Sequence, residues 1–286
     1  MSKNKRILVA DSGSSKTEWR LIENGKPGIF IRTSGINPYF LGSENIYELL
    51  VSEATGLENS AISKIFFYGT GCNSRQKEQI VSSALQKFTR CEDVFVGSDL
   101  LGAARSLCQD KPGIGCIMGT GSNSCYYDGL RIVSNIPPLG YILGDEGGGA
   151  VLGRKLITGI LKMQLPLAVR QKFLLKYNLT TAEILDNVYT KPFPNRFLGQ
   201  FTRFLAENAG VPEIKEIIVK SFDEFIERNI LQYPESASLP VHFTGSIAFH
   251  FRDLLIDRIR MNNLQMGSIT LAPLEKLVEY HINFMP

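Results

Sequence analysis

Short continuous apolar runs alternate along this chain with longer stretches whose apolar residues return every three or four positions. The first run, Ile7-Leu8-Val9-Ala10, is what a strand buried on both faces requires, and it ends at Asp11 and a turn of small residues. Thr17, Trp19 and Leu21 alternate beyond the turn and predict a returning strand, which makes Asp11 to Thr17 the tip of a hairpin. Gly35-Ile36-Asn37-Pro38 reads as a loop, with Asn37 restrained by its proline. Ile46, Leu49, Leu50, Ala54 and Leu57 predict a helix over Ser43 to Leu57, capped near Gly56. A strand at Ile65 to Tyr68 runs into Gly69-Thr70-Gly71 and is followed by a helix over about Arg75 to Phe88. Val94-Phe95-Val96 then delivers Gly97-Ser98-Asp99 to the start of a helix over Leu100 to Leu107. Strands alternating with helices predict an α/β fold with a covered sheet.

At Ile114 the opening pattern returns. IGCIMGTGSNSCYYDGLRIV parallels ILVADSGSSKTEWRLIENGK element for element, with Gly121 on Gly13, Ser122 on Ser14, Asn123 on Ser15, and an Asp128-Gly129 turn answering Asn24-Gly25. We read this as an internal repeat, with two similar lobes expected to face each other across a cleft. Three successive glycines, Gly147 to Gly149, open a helix over about Ala150 to Met163; they weaken it, so a ligand or another backbone is expected close by. Residues 166–233 read as several helices broken at Pro166, Pro192-Phe193-Pro194 and Gly210-Val211-Pro212, with Phe173, Phe197, Phe201, Phe204, Phe222 and Phe225 expected in the core. The last α/β unit is a strand, Leu239 to Phe243, ending in Thr244-Gly245-Ser246 before a helix over about Ile247 to Arg260.

Composition narrows the class. A chain of 286 residues, 44% hydrophobic and 21% charged, can bury a large core in about two domains. Its 31 basic and 28 acidic residues form no basic block, which argues against nucleic acid as a partner. No apolar run has transmembrane or signal-peptide length, so neither a membrane nor secretion is expected. Five cysteines without a C-x-x-C pair fit reduced thiols in the cytoplasm. His242, His250 and His281 show no partner in the sequence, and none is given a chemical role.

The chemistry lies at the strand ends. The Asp11 to Thr17 tip has little side-chain bulk, so backbone N–H groups and hydroxyls can close around a phosphate, while Asp11 offers a carboxylate to a magnesium ion. A glycine at the strand-to-helix junction of Gly245 lets a flat group such as a nucleoside lie on the backbone. Asp99, at the end of a strand, is a candidate base; its other reading is a cap for the helix that follows.

DSGSSKTEW, GTGSNS with GDEGGG, and FTGSIA resemble in order the two phosphate motifs and the adenosine motif of the acetate and sugar kinase, heat-shock chaperone and actin superfamily. Within it the resemblance is to the N-acetylglucosamine kinase family and the related activator ATPases of benzoyl-coenzyme-A reductase and hydroxyacyl-coenzyme-A dehydratase. It implies two ribonuclease-H-like lobes, residues 1–108 and 109–286, the second with a helical insertion at about 150–235, and ATP with Mg2+ between them. It makes Asp11 the magnesium-associated aspartate and Asp99 the catalytic base. Gly13, Ser14, Ser15, Lys16 and the adjoining Thr17 resemble the first phosphate loop, Gly119, Thr120 and Gly121 the second. Asn37, Ser122, Asn123 and Asp145 resemble sugar contacts, and Gly245 and Ser246 would adjoin the adenosine. The implied activity is transfer of the γ-phosphoryl of ATP to a hydroxyl of an amino sugar such as N-acetylglucosamine, in a soluble enzyme that a homodimer would also suit. The alternatives are an activator ATPase, which needs cluster-ligating thiolates and for which Cys72 after Gly69-Thr70-Gly71 is suggestively placed but has no second cysteine in a glycine-rich setting, and a regulatory or scaffolding ATPase, actin-like in use. The chain departs from the family in having Pro137-Pro138-Leu139 where an aromatic residue stands in vertebrate N-acetylglucosamine kinase, in lacking a cysteine-rich zinc motif, and in having Leu274-Glu275-Lys276 for a Gly-Ala pair.

Overall fold

The computed structural model describes residues 6–13, 15–57 and 61–284, which divide into two compact units. The first takes in the chain up to Pro112, Tyr127–Ile132, and the stretch from Ala272 on. Its sheet contains β1 (Arg6–Ser12), β2 (Lys16–Glu23), β3 (Lys26–Ser34), β4 (Lys64–Gly69) and β5 (Val94–Ser98) in the order β3-β2-β1-β4-β5. β1 pairs antiparallel with β2 and parallel with β4, and β4 pairs parallel with β5. Successive residues of β1 point to opposite faces, and both faces are covered. Leu8 and Ala10 join a core with Trp19, Leu21 and the helices Ser43–Glu53 and Arg75–Thr89. Ile7 and Val9 join Ile22, Phe66, Tyr68 and the last helix, Leu274–Phe284, through Leu274, Leu277 and Val278. That helix belongs to the first unit, although the sequence reading ran the second lobe through to residue 286.

The second unit comprises Gly113–Tyr126 and Val133–Leu271. Its sheet is assembled from β6 (Pro112–Met118), β7 (Ser122–Asp128), β8 (Ile132–Ser134), β9 (Val241–Thr244) and β10 (Met266–Thr270), in the order β10-β9-β6-β7-β8. Read from the other edge, this is the order of the first sheet strand for strand, so the repeat in the sequence is a repeat of topology. The helices Leu167–Tyr177, Thr181–Tyr189, Pro194–Gly199, Thr202–Glu207 and Pro212–Arg228 lie between β8 and β9 and bury Phe173, Phe201, Phe204, Phe222 and Phe225 completely, with Phe197 partly buried against them. Pro212 stands in the first turn of its helix, where a missing N–H costs nothing.

Three details differ from expectation. The helix after Ser43 ends at Glu53, ahead of Gly56. The helix after Gly245 is broken at Phe251 into Ser246–His250 and Arg252–Met261. The edge strands β3, β8 and β10 had no separate signal.

Candidate active site

In the first unit the candidate residues meet at the carboxyl ends of β1, β4 and β5. Asp11 ends the row of Ile7 and Val9 and stands opposite Glu18 of β2. Glu18 is almost fully buried and is neutralised by Lys16 at 2.6 Å and Arg32 at 2.7 Å, which hold its pKa low against the cost of burial. For Asp11 the compensation is too small: burial, with the Asp99 and Glu18 carboxylates nearby, outweighs the charge of Lys16 and pushes its pKa from 3.8 to about 7. An electron-rich, underneutralised carboxylate fits a hard cation. Among the described residues no group of three His, Cys, Asp or Glu side chains could hold a metal by itself, so a magnesium ion here would take its other ligands from water and phosphate.

Asp99 is the first residue of the helix Asp99–Cys108, and the cap is Ser98, whose hydroxyl accepts the Leu101 N–H at 3.2 Å. Asp99 accepts the Leu100 N–H at 2.8 Å and the Thr70 hydroxyl, yet burial still raises its pKa. Thr70, which the sequence reading passed over, follows β4, and its own N–H donates to the Ser12 carbonyl at 2.9 Å. Gly13, Ser15 and Lys16 are exposed, and Ser14 lies outside the described residues. The Thr17 side chain turns inward, its hydroxyl between Ser12 Oγ at 2.7 Å and the Ser34 carbonyl at 3.1 Å, so it shapes the tip from behind. Ser12 Oγ also accepts the Ile36 N–H at 3.1 Å, tying the 35–41 loop to β1. Asn37 in that loop accepts the Tyr39 N–H on its side-chain oxygen at 3.0 Å.

In the second unit the loop after β6 rests on the triple-glycine turn. Gly149 N–H donates to the Gly119 carbonyl and Ala150 N–H to the Thr120 carbonyl, each at 2.8 Å. In a trans peptide the C=O and the following N–H point in opposite directions, so these two bonds turn the Thr120 and Gly121 N–H groups away from the helix start, outward, as an anion site needs. The expected close neighbour of the glycines is therefore the loop backbone: a Cβ on Gly148 would lie 2.8 Å from the Gly121 carbonyl carbon. Gly245, at φ +117°, lies against the same loop from β9, where a Cβ would come 2.3 Å from the Met118 carbonyl oxygen; only glycine accepts both the φ and the contact. Ser246 beside it is exposed.

Asp145 has a left-handed backbone, φ +52°, with its N–H on the Pro138 carbonyl at 2.9 Å. Its carboxylate accepts the Ser122 N–H at 3.4 Å, and burial with Glu146 nearby raises its pKa to about 6. Asn123 Oδ1 accepts the Ser124 N–H and Asn135 Nδ2, each at 2.9 Å. The structure thus brings Ser122 and Asp145 together with the second loop, and Asp11 and Asp99 together with the first.

The five cysteines are buried, and none forms a disulfide among the described residues. Cys72 packs in the first core beside Gly69, with burial raising its pKa to about 12, so it is a core thiol and a poor cluster ligand. His281, left without a partner by the sequence, is completely buried, stacks on Phe66 at 3.8 Å and pairs through Nε2 with the Tyr68 hydroxyl at 3.0 Å.

No protein-family model and no curated protein matches the chain. Among solved structures, the "Putative N-acetylglucosamine Kinase" of Porphyromonas gingivalis is 45% identical, with 98% of this chain and 100% of that one covered and a TM-score of 0.94. A protein of the same description from Chromobacterium violaceum shares the fold at 18% identity, with 97% and 99% covered and a TM-score of 0.76. The ROK family glucokinase of Streptomyces griseus, solved with glucose and AMPPNP, shares it at 13% identity, with 96% and 97% covered and a TM-score of 0.54. With two like sheets, a glycine-bounded loop in each unit and 45% identity to the P. gingivalis protein over nearly its whole length, the chain belongs to the N-acetylglucosamine kinase-like family.

Proposed function

We propose that the protein is an ATP-dependent kinase that phosphorylates a hydroxyl of an amino sugar, N-acetylglucosamine or a relative. The observation that carries this is Asp99: a partly buried carboxyl with a raised pKa at a strand end beside Asp11, relieved of the capping role by Ser98. Phosphoryl transfer asks a protein mainly for positioning and charge neutralisation, with one base for the attacking hydroxyl. Asp99 accepts that proton on a carboxylate oxygen while the Leu100 N–H and the Thr70 hydroxyl hold the group in place. Gly13, Ser15 and Lys16, with Ser14 by sequence, and the outward N–H groups of Thr120 and Gly121 bind the nucleotide phosphates, and Gly245 and Ser246 the adenosine. Magnesium, associated with Asp11, supplies neutralisation of phosphate charge when bound. Asn37, Asn123 and Asp145 offer the amide and carboxylate groups that pair with sugar hydroxyls. The similarity to the P. gingivalis protein supports the amino-sugar substrate class. The testing experiment is ADP production from ATP and magnesium over a panel of amino and neutral sugars; N-acetylated or free amino sugars are expected to stimulate it most, and no stimulation by any sugar overturns the reading.

A further inference from the structure

We propose that Asp145 is a positioning residue for the second phosphate loop, acting through Gly121 and Ser122 to hold the outward N–H groups of Thr120 and Gly121 in register. The proposal rests on the reading that this loop binds nucleotide phosphate, and it adds a role to the sugar contact considered for Asp145.

The loop is fixed on one side by the start of the helix Gly149–Leu161, which takes the carbonyls of Gly119 and Thr120. Its far side, the peptide from Gly121 to Ser122, has no contact with that helix start through hydrogen bonds of its own carbonyl, which closes the hairpin onto the Gly119 N–H at 2.9 Å. The side chain that meets this peptide is Asp145. Its Oδ1 takes the Ser122 N–H, and the carboxylate stands so close over Gly121 that a Cβ there would be 2.6 Å from Oδ2 and 3.0 Å from Cγ. A side chain at 121 would therefore displace the Asp145 carboxylate from the loop.

Asp145 is itself placed by backbone. Its N–H is held by the Pro138 carbonyl, its carbonyl takes the Gly148 N–H at 2.9 Å, and Gly144 before it lies so near Pro138 that a Cβ would be 2.1 Å from that carbonyl oxygen. A left-handed φ at an aspartate persists where surrounding contacts over-determine it. Here the conformation aims the carboxylate at the loop.

Two variants separate the roles, read as ADP and ATP dissociation constants by calorimetry with no sugar present. Asp145→Gly accepts the left-handed φ and removes the carboxylate, so the chain folds while the loop loses its outer support. Asp145→Asn also tolerates that φ and keeps an oxygen for the Ser122 N–H. The expected result is a roughly tenfold or larger weakening of nucleotide binding in Asp145→Gly and near-wild-type binding in Asp145→Asn, with faster amide exchange at residues 119–123 in the glycine variant alone. Wild-type nucleotide affinity in folded Asp145→Gly overturns the proposal. Gly119→Val is the control: if it weakens nucleotide binding while Asp145→Gly does not, only the positioning role fails, and if neither does, the phosphate-loop reading fails and the proposal with it.

Discussion

Asp99 and Asp11 occupy one strand-end region and carry opposite demands. A base must shed its proton to work, whereas a carboxylate beside a magnesium ion must stay charged. Asp99→Asn keeps an oxygen for the Leu100 N–H, and with Ser98 as the cap it leaves the helix start intact. Turnover is expected to fall on the order of 10²-fold to 10⁴-fold with ATP affinity nearly unchanged, measured by ADP release and by calorimetry; wild-type turnover would remove Asp99 from the mechanism. Asp11 makes a prediction about stability. Its folded pKa of about 7 lies above the ordinary 3.8, so folding favours the protonated form: the stability it contributes is present below about pH 4 and is lost as pH rises towards 7. Asp11→Asn is therefore expected to raise the melting temperature of the metal-free protein at pH 8 by on the order of 5 °C and to change it little at pH 4, by calorimetric scans at both values.

At the scale of elements, the two loops are glycine-bounded for different reasons. A Cβ on Gly13 would meet only the Lys16 carbonyl oxygen at 3.9 Å, and one on Gly119 would meet nothing within 4 Å. Valine at either position therefore fits the fold and obstructs only what approaches the loop. Gly13→Val and Gly119→Val are expected to weaken ATP binding tenfold or more with melting temperatures near wild type, whereas Gly121→Val displaces the Asp145 carboxylate and lowers both; equilibrium binding and thermal melts on the three variants check this. The strands that carry these loops were legible because they are buried on both faces: Ile7 to Ala10 and Ile65 to Tyr68 are apolar without interruption. β3 and β10 escaped notice because edge strands with one open face, such as KPGIFIRTS with Ile29 and Phe30 exposed, carry no clean period. The repeat and the motif residues were readable by pattern. Thr70, the Ser98 cap and the Tyr68 partner of His281 were not, since hydrogen bonds between residues as far apart as 68 and 281 leave no local trace.

At the scale of the whole molecule, one fold is used twice and only one copy is continuous apart from a short excursion. The first unit needs the helix Leu274–Phe284 to cover Ile7, Val9, Ile22 and Phe66, and His281 is buried in that seam beside the Tyr68 hydroxyl, which also accepts from Arg105. Burial, with Arg105 and Lys64 nearby, depresses its pKa from 6.5 to about 3, so the neutral ring is favoured by folding: its contribution is present above pH 6.5 and is lost as pH falls towards 3. The protection of residues 274–284 against hydrogen exchange, taken relative to the intrinsic exchange rate at each pH, is accordingly expected to fall between pH 7 and pH 4.5, and in His281→Phe that pH dependence is expected to flatten. The same seam bears on how the protein is made. A ribosome adding roughly 5 to 20 residues per second needs on the order of 10 to 30 seconds to pass from Pro112 to Leu274, and for that interval the Ile7 and Val9 face of the nascent first sheet is covered only in part, by the helix Asp99–Cys108. The first unit is thus completed only once residues 274–284 have been made, well after its five strands.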